Sequence, residues 1–335
     1  YDGTASSLLV EPERTNLITY SNNFTDSSWT KLGAGTGSTS VVTSNYAISP
    51  DGTQNATRLV CDLNGGTTTS DQSLIYDLDS SNTSQSISIY IKSNTGSNQN
   101  IYFANTFGTG DTAIVTSEWQ RFEFNHSTSN HTFSLGLRGN TGADNTADVL
   151  IWAAQSENGS YPTSYIPTDG GTVTRVQDQY SKTGISNLIN SEEGTFFLDL
   201  ALLSGNTNYD LQTSIVLSDG AANNRVLIYS PTTPQNRYIA LIKSEGNTVI
   251  QKTIDATDIT LFNKIAVTWK TNEYKIFLNG NPIYSNTTPT ATPIGLNSLF
   301  FAAYNSTANP FYGKVKQLQI FKTALTDPEL AILTT

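Results

Sequence analysis

The chain has 335 residues, a formal net charge of −10 and only 14% charged residues, well below the ~25% of ordinary soluble domains, so Ser, Thr and Asn, together roughly a third of it, carry its polarity. The negative balance repels phosphate backbones, and no window mixes clustered Lys or Arg with aromatics, which excludes nucleic acid as a partner. No apolar run approaches the ~18 residues that span a bilayer and no charged-then-apolar leader opens the chain, so membrane insertion is not expected; with Tyr1 first and no Met, a piece of a longer polypeptide is.

The length suits two all-β domains, each large enough to bury its own core. Strand-like runs alternate with Gly, Asn, Asp and Ser punctuation, and amphipathic helical periodicity is almost absent. In the first half strands are expected at Ser40–Thr43, Ala56–Leu63, Gln72–Asp77, Ser84–Lys92, Asn100–Ala104, Gln120–Asn125, Thr132–Arg138 and Asp148–Ala154, eight in all, enough for a jelly roll or sandwich. Cys61 lies in one of these runs and reads as a buried, inert thiol. In Ser86-Ile-Ser-Ile-Tyr-Ile91 the residues Ile87, Ile89 and Ile91 share one face and Ser86, Ser88 and Tyr90 the other, as in a sheet with one wet side. Beyond the turn dipeptide Asn158-Gly159, two prolines hold Tyr161 and Ile166 extended, so this stretch is expected to run across a surface.

Residues 177–192 are polar and weakly patterned, a linker or the first edge strand of a second domain. Strands resume at Thr195–Leu203, Leu211–Ser218, Arg225–Ser230, Arg237–Lys243, Thr248–Ile254, Lys264–Lys270, Glu273–Asn279, Ser298–Tyr304 and Gly313–Lys322. Ile265, Val267 and Trp269 are expected to face inward. Thr326 and Glu329 form a capping box for one short C-terminal helix. The fold class is therefore all-β, two β-sandwich or jelly-roll domains in tandem, with domains at 1–176 and 193–335.

Two resemblances sharpen this. Leu9-Val-Glu-Pro-Glu-Arg-Thr-Asn-Leu17 and Trp152–Arg175 resemble the carbohydrate-binding-like jelly rolls of bacteriophage tail proteins. That implies a virion or extracellular location, other tail proteins as partners and a homotrimeric assembly. It also implies that Asp148 stands where related jelly rolls hold a structural calcium; no cofactor is otherwise expected. Glu193-Gly-Thr-Phe-Phe197, Ile265–Lys270, Tyr274–Gly280 and Tyr312–Leu330 resemble the concanavalin A-like, laminin-G-type sandwich. Lys314 and Lys316 stand where such domains often carry an acidic residue, which argues against calcium there.

No catalytic constellation emerges. Glu192 and Glu193 are neighbours and point to opposite faces of a strand, unlike a glycosidase pair. Tyr180-Ser-Lys182 and Gln319-Ile320 are similar to pieces of alginate lyases of this fold, but Phe321 stands where those have histidine. His126 and His131 sit in an Asn/Ser/Thr-rich run that reads as a surface loop. For binding, sugars need exposed aromatic faces ringed by amides, hydroxyls and charges. The candidate ligand-binding residues are Tyr209, Asp219, Asn223, Asn224, Arg225, Tyr304, Asn305, Phe311 and Tyr312, all in or beside turns of the second half. The expected function is non-catalytic recognition of a host cell-surface glycan. The alternatives are a virion decoration or spacer module without sugar binding, or a polysaccharide-degrading enzyme.

Overall fold

The computed structural model describes residues 7–78, 85–106, 109–126, 132–203, 213–231, 236–288, 291–304 and 309–335. The chain divides into two compact units, Glu13–Val176 and Tyr1–Pro12 with Gln177–Thr335. The first unit is thus inserted into the second, which corrects the expected boundary of 1–176: Leu8–Val10 forms a strand paired antiparallel with Gly313–Val315. Nothing local in Leu8-Leu9-Val10 signals a partner at the far end of the chain.

Glu13–Val176 folds as two five-stranded antiparallel sheets. In spatial order the first runs Gln120–His126, Gln85–Ser93, Thr146–Asn158, Ala56–Asp62, Val41–Ala47. The second runs Thr30–Ala34, Gln72–Leu78, Thr132–Arg138, Gln99–Thr106, Thr109–Val115. Thr30–Ala34 and Thr109–Val115 were not expected; both are edge strands whose Gly-containing runs lack alternation. Between the sheets Ile87, Ile89 and Ile91 pack with Trp29, Leu59, Ile75, Phe103 and Phe133. Burial pushes the Cys61 thiol up to about 12 and keeps it unreactive. Arg14–Asn16 pairs with Val173–Arg175 and closes the unit at its two ends.

The other face of Gln85–Ser93 is not wet as expected: Ser86 and Ser88 are buried. The cause is the segment after Asn158-Gly159, which lies over their cross-strand neighbours Gln155 and Glu157. Thr163 donates from its backbone N–H (2.8 Å) and its hydroxyl (2.5 Å) to the Glu157 carboxylate. Gln155 donates to Glu157 (2.7 Å) and accepts from the Ile166 N–H (2.6 Å). Arg121 donates to both Ser88 Oγ (2.8 Å) and the Thr163 carbonyl (2.6 Å). The strap thus answers Glu157, Gln155 and Arg121 from its own backbone and the Thr163 hydroxyl, whereas Ser88 takes its donor from Arg121 and the buried Ser86 hydroxyl has no hydrogen-bond partner among the described residues. Burial nevertheless raises the Glu157 carboxyl above its ordinary value, against the pull of these donors.

The second unit is a sandwich of two six-stranded antiparallel sheets. One runs Leu8–Val10, Gly313–Phe321, Glu193–Leu202, Asn263–Lys270, Glu273–Leu278, Asn281–Asn286; the other runs Ser181–Lys182, Ser298–Phe300, Thr213–Ser218, Arg225–Ser230, Arg237–Ser244, Asn247–Asp255. Residues 177–192 are no free linker: Ser181–Lys182 is an edge strand, and Ile185 and Ile189, flanking the 3-10 turn Ser186–Leu188, are buried in the core. Ile265, Val267 and Trp269 face the same core. A Cβ on Gly194 would come within 2.3 Å of the Trp269 ring, so only glycine fits there. The capping box opens the helix Asp327–Thr334, which seats Leu330 on the outer face of the first of these sheets against Phe197, Ala266 and Phe277.

Candidate functional site

The outer face of the second unit's other sheet carries no helix among the described residues. In Arg225-Val-Leu-Ile-Tyr229 strand alternation sends Val226 and Ile228 into the core, and Arg225, Leu227 and Tyr229 to the outer face. Cross-strand pairing places Val216 and Leu241 beside Leu227, Ser214 beside Tyr229 and Lys243 beside Arg225. The chain after Ser298–Phe300 turns back over this face, with Tyr304 and Asn309 in the left-handed region (φ 34° and 51°). Together these groups line a cavity of about 220 Å³ whose wall comprises Ser214, Arg225, Leu227, Tyr229, Leu241, Ala303, Tyr304 and Asn309. Ser214 Oγ donates to the Asn309 carbonyl (2.9 Å) and fixes the returning loop to the sheet.

Arg225 dominates the chemistry of this cavity. Its guanidinium lies 5.4 Å from the centre of the Tyr304 ring. Burial pulls its pKa below the ordinary arginine value, with the Tyr304 and Tyr229 hydroxyls acting in the opposite sense. Its Nε is buried without a hydrogen-bond partner, and among the described residues no carboxylate pairs with it. A half-buried guanidinium facing a cavity, one ring face against it and its forked donors unspent, is built to accept a planar anion. Leu227 and Leu241 supply the apolar floor.

Of the nine residues expected at a binding rim, the structure brings Arg225 and Tyr304 together in this cavity. Tyr209 and Asn305 lie outside the described residues. Asp219 and Asn224 are occupied in holding their hairpin. Asn224 donates to the Asp219 carboxylate (2.8 Å), and its own oxygen accepts from the N–H groups of Glu245 (3.0 Å) and Ile294 (3.1 Å). Asn223 serves the same loop, its carbonyl accepting from Gly246 N–H (2.9 Å). Phe311 is corrected outright: it is buried and packs edge-on against Phe301 at 5.8 Å in the core, so it cannot stack on a ligand. Tyr312 is half-buried and its hydroxyl donates to Gln177 (2.7 Å), which makes it a tie rather than a platform. Tyr229, Ser214 and Asn309 were missed; a count of aromatics in turns overlooks an Arg–Leu–Tyr series at alternate strand positions.

Asp148 is likewise no calcium ligand in waiting. Its two oxygens receive Arg58 Nε (2.8 Å) and Nη2 (2.6 Å), and Asn94 adds a third donor (3.0 Å). The Arg58 hydrogen bonds hold its carboxyl below the ordinary carboxylate range, and the place a cation would take is filled by a guanidinium. Among the described residues no group of three or more His, Cys, Asp or Glu side chains converges to hold a metal. Of the two histidines, His131 lies outside the described residues and His126 ends a strand.

Residues 203–331 match the family described as the concanavalin A-like lectin/glucanases superfamily, of the laminin G type. No curated protein matches. Among solved structures, the carbohydrate-binding module (CBM40) of the Ruminococcus gnavus intramolecular trans-sialidase, also solved with α2,3-sialyllactose, is 17% identical with a TM-score of 0.37, over 47% of this chain and 98% of that one. A heptameric pentraxin from Limulus polyphemus is 11% identical (TM-score 0.34; 47% and 76% covered). The receptor-binding domain of botulinum neurotoxin type G is 16% identical (TM-score 0.33; 46% and 45% covered). Likenesses this distant carry no argument about activity.

Proposed function

We propose that the second unit is a non-catalytic glycan-binding module that takes a carboxylate-bearing saccharide in the Arg225–Tyr229–Tyr304 cavity. The observation that carries this reading is the half-buried Arg225 guanidinium with no carboxylate against it among the described residues. A neutral ligand would leave that charge desolvated and unanswered, whereas a carboxylate would meet it with two parallel hydrogen bonds. Lys243, directly across the ladder, puts a second cation on the same face of a chain that is otherwise acidic. Tyr304 and Tyr229 offer ring surface for the sugar. The match of residues 203–331 to lectins and glucanases supports a sugar ligand, and binding so built requires no cofactor.

The setting we infer is an exposed particle or cell surface, with a host surface glycan as ligand. A homotrimeric phage tail is the particular setting to which the resemblance of Leu9–Leu17 and Trp152–Arg175 points. The test is a glycan array read beside a reducing-end release assay. Binding to uronic or sialic acid glycans without release of new ends supports the module. Release of ends would make the chain an enzyme, and silence on both would favour a spacer.

A further inference from the structure

The inserted unit carries a second cavity of opposite chemistry, about 550 Å³, lined chiefly by Asn22, Asn23, Ser44, Asn45, Asn55 and Asp169. Two irregularities of one sheet build it. The edge strand Val41–Ala47 loses register between Thr43 and Ala47, and the extra residues swing Ser44 and Asn45 out, Asn45 in the left-handed region (φ 52°). Such bulges re-aim side chains and recur beside binding sites. The strand Thr146–Asn158 is irregular between Trp152 and Gln155; there Ala153 (φ 59°) donates its N–H to Asn22 Oδ1 (2.8 Å), anchoring Asn22 in the wall.

Several polar groups of this wall have no partner within the described protein. Asn55 donates to Asp51 (3.0 Å), yet its Oδ1 is buried with nothing bonded to it. No hydrogen bond or ion pair among the described residues engages the Ser44 hydroxyl, the Asn45 amide or the Asp169 carboxylate. Amide N–H, amide oxygen, hydroxyl and carboxylate thus face one space, and no cation or aromatic ring lines it. An anion would meet Asp169 and no positive charge. A calcium ion would find one carboxylate in the lining, Asp51 already being held by Ser49, Thr53 and Asn55. An apolar ligand would strand every group. A pair of neighbouring sugar hydroxyls fits, because each accepts from an amide N–H and donates to a carboxylate or amide oxygen.

We propose that this cleft binds a neutral saccharide through paired hydroxyls, by hydrogen bonds alone and independently of the Arg225 cavity. Without a ring to stack on, affinity is weak, of order millimolar. The test titrates the whole chain with methyl glycosides of glucose, galactose, mannose and N-acetylglucosamine, followed by NMR chemical shifts, and separately with calcium chloride. Asn45→Gly keeps the left-handed backbone and removes the amide; Asp169→Ala removes the carboxylate. The expected result is saturable binding of at least one glycoside, weakened at least tenfold in each variant at unchanged melting temperature, and unaltered in Arg225→Ala. Four outcomes would overturn the proposal: no glycoside bound at tens of millimolar, binding that survives both substitutions, binding lost with Arg225, or a calcium response abolished by Asp169→Ala.

Discussion

Three arginines on outer sheet faces separate structure from function in this chain. In the inserted unit Arg58 is locked on Asp148, and Arg121 reaches Glu123 (3.3 Å), Ser88 and the strap carbonyl of Thr163. In the second unit Arg225 has a tyrosine face and a cavity. Arg121 is fastened to the strap and Arg58 to Asp148, whereas Arg225 borders a cavity with no carboxylate beside it among the described residues. Burial alone does not mark a site, since Glu157 is far more deeply buried than Arg225. Nor does an unpartnered buried atom by itself, since the Ser86 hydroxyl and Asp199 Oδ1 are also without a hydrogen bond among the described residues; Arg225 differs in facing a cavity.

The comparison depends on the two units being separate bodies, and the insertion offers the harshest way to break it. A fragment of residues 190–335 lacks Leu8–Val10, the Ser181–Lys182 edge and the core residues Ile185 and Ile189, and is expected not to melt cooperatively. Glu11 and Asp178 exchange hydrogen bonds (2.9 and 3.0 Å), so joining Pro12 to Gln177 through a short glycine link and omitting 13–176 should restore a cooperative transition by circular dichroism. A well-folded 190–335 fragment would show that the N-terminal strand is dispensable.

Next in size, Trp269→Ala empties the centre of the second unit and should cost about 3–5 kcal/mol in denaturant titration. It should leave the transition of residues 13–176 where it was; a shift in both would mean that the units unfold as one.

Arginine truncations sharpen the comparison directly. Arg58→Ala leaves Asp148 with Asn94 as its remaining partner and should lower stability by about 1–2 kcal/mol, partial exposure moderating the loss. Arg225→Ala removes a desolvated charge that has the Tyr304 ring but no carboxylate beside it among the described residues, and should shift stability by less than about 0.5 kcal/mol. Equal losses at the two positions would mean that Arg58 and Arg225 are both structural fasteners.

The smallest effect is a pH dependence. Backbone N–H of Thr36, with the hydroxyl and N–H of Thr68, holds the Asp71 carboxyl well below its ordinary value. Its folded pKa is depressed, so its contribution is present above the ordinary carboxylate pKa and is lost as pH falls through the folded value. Asp71→Asn should therefore flatten the acid limb of the stability profile of residues 13–176. An unchanged limb would assign acid sensitivity to other carboxylates.

What was legible in the residues was whatever alternates locally. Ile87, Ile89 and Ile91, and Ile265, Val267 and Trp269, declare their buried faces by period two, and Thr326 with Glu329 declares a helix start. What depends on distant chain was not legible: Leu8–Val10 finds its partner across the whole sequence, and Ser86 and Ser88 are dry only because Thr163 and Ile166 bond over their neighbours. At the site, Arg225 and Tyr304 were found because they flank turns. Phe311 was misjudged because a loop position does not reveal that the ring turns back under Phe301. Tyr229 was passed over because a strand aromatic looks like core until its face is known.

The central claim is that Arg225 awaits a carboxylate, and the most direct measurement is calorimetric titration with one acidic disaccharide and its methyl ester, identical except for the charge. The account predicts that the acid binds the whole chain at least tenfold more tightly than the ester, and that Arg225→Ala erases this preference without changing the melting temperature. Equal binding of acid and ester, or a preference that persists in Arg225→Ala, would contradict it.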